Sequence, residues 1–203
     1  ITDLNDCQDT IFYTENISVG QATSNFTQDI TGGCLPLTVS FQENASSVFG
    51  EIVSWEWTFG DGLGTSSEPN PTFIFEEAGL HNVKLIVTDS WGCRKTRRKV
   101  GIVEVTNPEA SFIADSLGCT WAEINFNNTS QGVALDHLWD FGDGNTSTVK
   151  NPTHTYMDEG VYTICLTIID KYDCVSTVCH DNSVEIANPV AGFSVDSTFA
   201  SCP

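Results

Sequence analysis

The chain has 203 residues, 40% of them apolar, enough for one large domain or two of about 100 residues. Acidic residues outnumber lysine and arginine by 27 to 8, and the net charge of -19 excludes nucleic-acid phosphates and anionic lipid headgroups as natural partners. No apolar run reaches the roughly 18 residues of a spanning helix, so no membrane insertion is expected here, and no charged-then-apolar leader opens the sequence.

The amino end, "ITDLNDC" at residues 1–7, has counterparts in "VTDSWGC" ending at Cys93 and "IIDKYDC" ending at Cys174. Residues 1–19 therefore read as the last strand of a preceding repeat. Residues 20–106 read as a whole repeat. "LTVSFQ", "VSWEWTF" and "VKLIVTD" alternate apolar and polar positions, the period of half-buried strands. Within it "WTFGDG" at 57–62 ends a strand on two glycines. Residues 107–187 repeat the series: "AEINFN", "LDHLWDF" and "VYTICLTIID" alternate in the same way, and "WDFGDG" occupies 139–144. "EPNPTFIFEEAG" at 68–79 returns as "VKNPTHTYMDEG" at 149–160. The offset across these motifs is 81 or 82 residues: Trp57 to Trp139 is 82, Cys93 to Cys174 is 81. Residues 188–203, "NPVAGFSVDSTFASCP", match the start of a third repeat. Six or seven short strands per repeat, broken by Gly, Pro, Asn and Asp turns, predict an all-β chain of tandem sandwiches.

The FGDG copies invite a chemical reading and fail it. A kinase D-F-G needs a separate Lys, Glu and catalytic-loop Asn, and a phosphate loop needs G-x-x-x-x-G-K-[ST]; neither context exists. Trp57, Phe59, Trp139 and Phe141 fall on one face by period two and are expected to anchor each core. Asp61 and Asp143 are expected to accept nearby backbone amides in a tight turn. His81, His137, His154 and His180 have no metal or triad spacing, and His154 aligns with Phe73, an ordinary strand site. No catalytic constellation or cofactor is expected.

"RKTRRK" at 94–99 holds five of the eight positive side chains: a charged edge strand, or a dock for an acidic neighbour or anionic polysaccharide. Trp55, Trp91, Trp121 and Tyr172 are the candidate sugar-stacking rings. Sequons begin at Asn16, Asn25, Asn44, Asn127, Asn128 and Asn145.

Eight cysteines without a C-x-x-C pair suggest disulfides and an oxidising, extracellular setting rather than zinc. The repeat aligns Cys34 with Cys119 and Cys202, and Cys93 with Cys174 and Cys7. Bonds Cys34–Cys93 and Cys119–Cys174 would close each domain and contribute roughly 3–4 kcal/mol apiece. Cys165 and Cys179 stand symmetrically about Tyr172, where a hairpin would place them opposite each other. Cys7 and Cys202 are left with partners expected beyond the chain ends.

"WTFGDG" and "WDFGDG", "NPTFIF" and "NPTHTY", and "GLHNVKLIVTD" and "GVYTICLTIID" together resemble the PKD (polycystic kidney disease) domain over essentially the whole chain. The resemblance implies an immunoglobulin-like β-sandwich acting as an extracellular spacer or interaction module. The cysteine-bearing "GGCLPLTVSF", "LGCTWAEINF" and "WGC" resemble PKD arrays of very large bacterial surface proteins, notably gliding adhesins of the Bacteroidota. Trp121 departs from that pattern where the first repeat has Pro36. PKD-like relatives in secreted proteases hold calcium, which draws attention to Asp3, Asp89 and Asp170, although no run of oxygen ligands appears. "DTI", "DSL" and "DST" resemble the O-glycosylation signal of the same bacteria, on Thr10, Ser116 and Ser197. The expected role is a non-catalytic, disulfide-stabilised stalk of a long adhesin or fibre, with Pro108 and Pro189 limiting linker freedom. The expected partners are neighbouring PKD repeats, and surface polysaccharide or other fibre subunits. The alternative is a carbohydrate- or protein-binding accessory module of a secreted enzyme.

Overall fold

The computed structural model describes residues 22–48, 50–133 and 135–188. The flanking strands expected at 1–19 and 188–203 lie outside them, apart from Asn188. Among the described residues every regular element is a strand, and the strands form two tandem immunoglobulin-like β-sandwiches.

The first sandwich runs β1 (Ala22–Thr23), β2 (Phe26–Gln28), β3 (Gly32–Cys34), β4 (Leu37–Glu43), β5 (Ser46–Ser47), β6 (Ile52–Phe59), β7 (Gly64–Ser66), β8 (Thr72–Phe75), β9 (Gly79–Asp89) and β10 (Arg94–Thr106). A three-stranded sheet, β2-β4-β8, covers a five-stranded sheet, β3-β10-β9-β6-β7. The second sandwich repeats the plan with β11 (Phe112–Ala114), β12 (Leu117–Cys119), β13 (Glu123–Asn128), β14 (Asp136–Asp140), β15 (Thr146–Ser147), β16 (Thr153–Thr155), β17 (Gly160–Ile169) and β18 (Val175–Ala187). Its sheets are β11-β13-β16 and β12-β18-β17-β14-β15. In both, the short strand ending in cysteine is the exception to antiparallel pairing. β3 runs parallel to the far end of β10, and β12 to the far end of β18.

Alternation builds each core. β4 turns Leu37, Val39 and Phe41 inward and Thr38, Ser40 and Gln42 outward. β9 buries Val83, Leu85 and Val87 against them. Trp57 and Trp139 are 1% and 0% exposed at the centres of the two clusters. The Trp57 ring meets Phe26 edge to face at 5.1 Å, and Trp139 meets Phe112 at 5.2 Å. Each indole N–H donates to a carbonyl in the loop before the last strand of the smaller sheet, Glu68 O at 2.9 Å and Val149 O at 3.0 Å. One side chain thus fills the core and ties down a loop.

Trp57→Ala and Trp139→Ala should each cost about 3–5 kcal/mol in guanidinium unfolding followed by circular dichroism. A loss below about 1 kcal/mol, the level of a surface substitution, would contradict the anchoring role.

Candidate functional site

The two GDG turns occupy equivalent corners but differ in conformation. In the first, Gly60, Asp61 and Gly62 all have positive φ, 55°, 56° and 134°, and the Gly62 and Leu63 amides both donate to Phe59 O. In the second, Gly142 and Gly144 have φ of 78° and 90°, and a Cβ on Gly142 would sit 2.5 Å from Thr163 O. The Asp61 carboxylate accepts side-chain donors, Asn82 Nδ2 and Arg98 Nη2 (2.9 Å), not the backbone amides expected for it. Asp143 does take one backbone amide, Asn145 at 3.0 Å, together with Asn145 Nδ2 at 2.9 Å and His154 Nε2 at 2.7 Å. The Asn82 hydrogen bond, aided by Arg98, holds the Asp61 carboxyl below its usual range. At Asp143 burial pushes upward, but the bonds from His154 and Asn145 outweigh it and leave the carboxyl lowered.

His154 is therefore more than a strand residue. Its ring stacks on Phe141 at 4.2 Å, as Phe73 stacks on Phe59 at 4.4 Å, while its Nε2 reaches Asp143. His81 has a similar double role: it packs on Phe75 and bonds Glu77 O at 2.8 Å, as Tyr162 packs on Tyr156 and donates to Asp158 O at 2.9 Å. These corners hold the sandwich rims. None presents a nucleophile beside a base.

The other candidates resolve in the same way. Asp89 and Asp170 are 2% and 5% exposed. Asp89 Oδ1 accepts the Trp91 and Cys93 amides and Oδ2 accepts the Ser47 hydroxyl; Asp170 Oδ1 accepts the Tyr172 and Cys174 amides. These oxygens are used to fold turns. Among the described residues no group of three or more His, Cys, Asp or Glu side chains converges on a metal position. From the basic run, Arg94 pairs with Glu56 at 2.8 Å, Arg98 with Asp61, and Lys99 donates to Phe26 O at 2.6 Å. Three of its five charges are thus engaged within their own domain. Trp55 packs against the core with its indole nitrogen buried, so it offers no platform for a sugar. Trp91 and Trp121 are 74% and 69% exposed.

Asn25, Asn44, Asn127, Asn145 and Ser116 are exposed. Asn128 is not free to carry a glycan: its Nδ2 is buried and its Oδ1 accepts the Ser130 amide at 2.8 Å. Thr10, Asn16, Ser197, Asp3, Cys7 and Cys202 lie outside the described residues.

The cysteines carry the largest departure from expectation. Cys34 is bonded to Cys174, not to Cys93, with Cα atoms 5.4 Å apart, so the bond joins the two sandwiches. Cys119 is disulfide-bonded too, and since Cys174 is taken, the expected Cys119–Cys174 pair is also ruled out. Strand length gives the reason. Cys34 lies opposite Thr106, the last residue of β10, whereas Cys93 precedes Arg94, its first. Thirteen strand residues span about 40 Å, and a disulfide needs Cα atoms within about 7 Å. The same holds for Cys119, opposite Ala187, and Cys174, just before Val175. Cys165 and Cys179 are cross-strand neighbours on β17 and β18, Cα atoms 4.1 Å apart, and are bonded.

The turn between β17 and β18 is the docking element. It brings Tyr172 against Gly32, where a Cβ would fall 2.3 Å from the ring, so only glycine admits that approach. Tyr172 Oη and Lys171 Nζ donate to Glu104 Oε2 at 2.9 and 2.6 Å. Thr106 Oγ1 lies 3.2 Å from Cys174 Sγ. Lys171, and then Tyr172, hold the Glu104 carboxyl below its usual range. Glu104, Thr106, Gly32 and Cys34 come from the first domain, and Lys171, Tyr172 and Cys174 from the second.

A family model described as PKD domain matches residues 21–103 and again 105–186. The pre-pro-metalloprotease PrtV of Vibrio cholerae serotype O1 is 32% identical over 145 residues, covering 70% of this chain and 16% of its own length. The collagenase ColA of Bacillus cereus is 46% identical over 74 residues, covering 34% of this chain and 7% of its own. A crystal structure of the PKD1 domain of Vibrio anguillarum Epp aligns at 36% identity over 41% of this chain and 94% of that one, with a TM-score of 0.37. The chain spans a small part of the length of these curated relatives.

A carboxyl held low by its partners contributes stability above its unfolded value and loses it as pH falls through the folded value. Contacts at Glu104 should therefore persist from neutral pH down to about 4.3, the ordinary glutamate value, and fail below it. In a Cys34→Ser/Cys174→Ser chain, the radius of gyration from X-ray scattering should rise over that acid range, and adding Glu104→Gln should raise it already at pH 7. An unchanged radius in the Glu104→Gln chain at pH 7 would contradict the role of this carboxylate.

Proposed function

The chain belongs to the PKD domain family, and from that premise we propose that it is a rigid spacer, two sandwiches fixed end to end within a larger extracellular protein. PKD domains are non-catalytic modules, and this segment is extracellular. The observation that carries the spacer reading is the junction, where a disulfide, a charge-assisted contact to Glu104 and a ring packed on glycine act together. Short linkers alone leave neighbouring domains free to pivot. Here Pro108 is buried and Glu109 exchanges both backbone hydrogen bonds with Gln131, so the connection itself is paired into the second sandwich.

Part of the junction recurs in the other repeat. Glu185 stands where Glu104 does and Cys119 where Cys34 does, but Leu117 stands where Gly32 does, and Ser90 and Trp91 stand where Lys171 and Tyr172 do. The retained cysteine and glutamate support a covalent junction between further PKD repeats too, with a different ring contact in each. The relatives' names, metalloprotease and collagenase, favour an enzyme as the cargo of such a spacer over the adhesin or fibre suggested by resemblance to surface arrays. A second reading, the accessory binding module, draws on the exposed Trp91 and Trp121 rings.

Relaxation measurements on a nitrogen-15-labelled chain should give amides in β2–β10 and β11–β18 one common tumbling time. In the Cys34→Ser/Cys174→Ser chain those times should shorten and diverge. Independent tumbling in the oxidised wild type would contradict a rigid spacer. For the second reading, the wild-type chain should bind no component of a polysaccharide and collagen array. Binding that disappears in Trp91→Ala or Trp121→Ala would replace the spacer with a recognition module.

A further inference from the structure

We propose that the Cys34–Cys174 and Cys165–Cys179 disulfides make this segment a tension bypass: pulling on its ends loads the cross-links and leaves the strands from β4 to β16 unloaded. The inference rests on the spacer reading and adds a mechanical function to it. It follows from where the bonds fall along the chain. Force entering from the amino side travels through residues 22–34 and reaches Cys34 at the end of β3. The bond to Cys174 then offers a direct route to the last strand of the second domain, skipping a sequence separation of 140 residues. Trp57 and Trp139 lie inside that closed loop, whereas Phe26 on β2 and Val184 and Ile186 on β18 lie on the loaded segments outside it.

The second bond protects the exit. Force leaving through β18 would peel it from β17, beginning at Ala187. Cys179 is bonded across to Cys165, so peeling stops there, before the strand that carries Cys174 can be stripped away. Among the described residues only 22–34 and the end of β18 remain extensible. Two intradomain bonds of the Cys34–Cys93 type would have left the linker as part of the load path. A bond across the junction takes the linker out of it.

The test is single-molecule pulling on the full chain, tethered at its termini, with Cys7, Cys93, Cys119 and Cys202 replaced by serine so that only the two described bonds remain. Oxidised molecules should extend without domain-sized steps. Adding Cys34→Ser/Cys174→Ser should restore unfolding steps totalling roughly 430 Å, about 125 released residues at up to 3.4 Å each. Should that variant not fold, dithiothreitol can be supplied to tethered parent molecules, where it also opens Cys165–Cys179 and should release about 140 residues, roughly 480 Å. It reduces the cystines to thiols, is itself oxidised to its cyclic disulfide, and should convert step-free traces into stepping ones. Domain-sized steps in oxidised parent molecules would overturn the bypass. Failure of the spacer reading appears instead as independent tumbling at zero force, so the two failures are distinguishable.

Discussion

A last strand of thirteen residues sets the geometry of everything else. At about 3.3 Å per residue it places the turn cysteine and the β3 or β12 cysteine at opposite ends of one sandwich, about 40 Å apart. No bond can form between them within a domain. When two such domains stack head to tail, the far end of one meets the near end of the next, and the cysteines that could not meet inside a domain meet across the junction. The strand length thus turns an apparently intradomain cysteine pattern into an interdomain one.

The cores and corners show how the same frame tolerates different chemistry. Both sandwiches use a central tryptophan whose ring fills the core and whose N–H holds a loop carbonyl. Around the GDG corner they diverge: Asp61 is held by Asn82 and Arg98, and Asp143 by Asn145 and His154. Arg98 is available because the first repeat keeps a basic run on β10. The second repeat has Cys179 at the corresponding strand position, bonded to Cys165, and recruits a histidine from β16 instead. The carboxylate is served in both cases, and the donor follows from what each last strand carries.

Much of this was legible in the residues. Alternation in "LTVSFQ" and "VKLIVTD" foretells which side chains are buried, the 81–82 offset separates the domains, and Trp57, Phe59, Trp139 and Phe141 read directly as core. The partner of Cys34 was not legible. "GGC" has no alternation to mark it as a strand, and its parallel pairing with the far end of β10 is non-local, so nothing nearby in sequence says which end of the sandwich it occupies. Alignment of repeats names equivalent cysteines without saying whether they meet within a domain or between domains. The His154–Asp143 contact was hidden for a related reason: its counterpart Phe73 makes the same ring stack without a polar end.

One covalent connection, Cys34–Cys174, joins the two sandwiches, and a non-reducing tryptic and chymotryptic peptide map of the oxidised chain reads it out. The peptide containing Cys34 should be recovered joined to the peptide containing Cys174 and released from it by reduction. Recovery of Cys34 joined to Cys93 would contradict the account, returning each bond to its own domain and leaving the two sandwiches joined only by their linker.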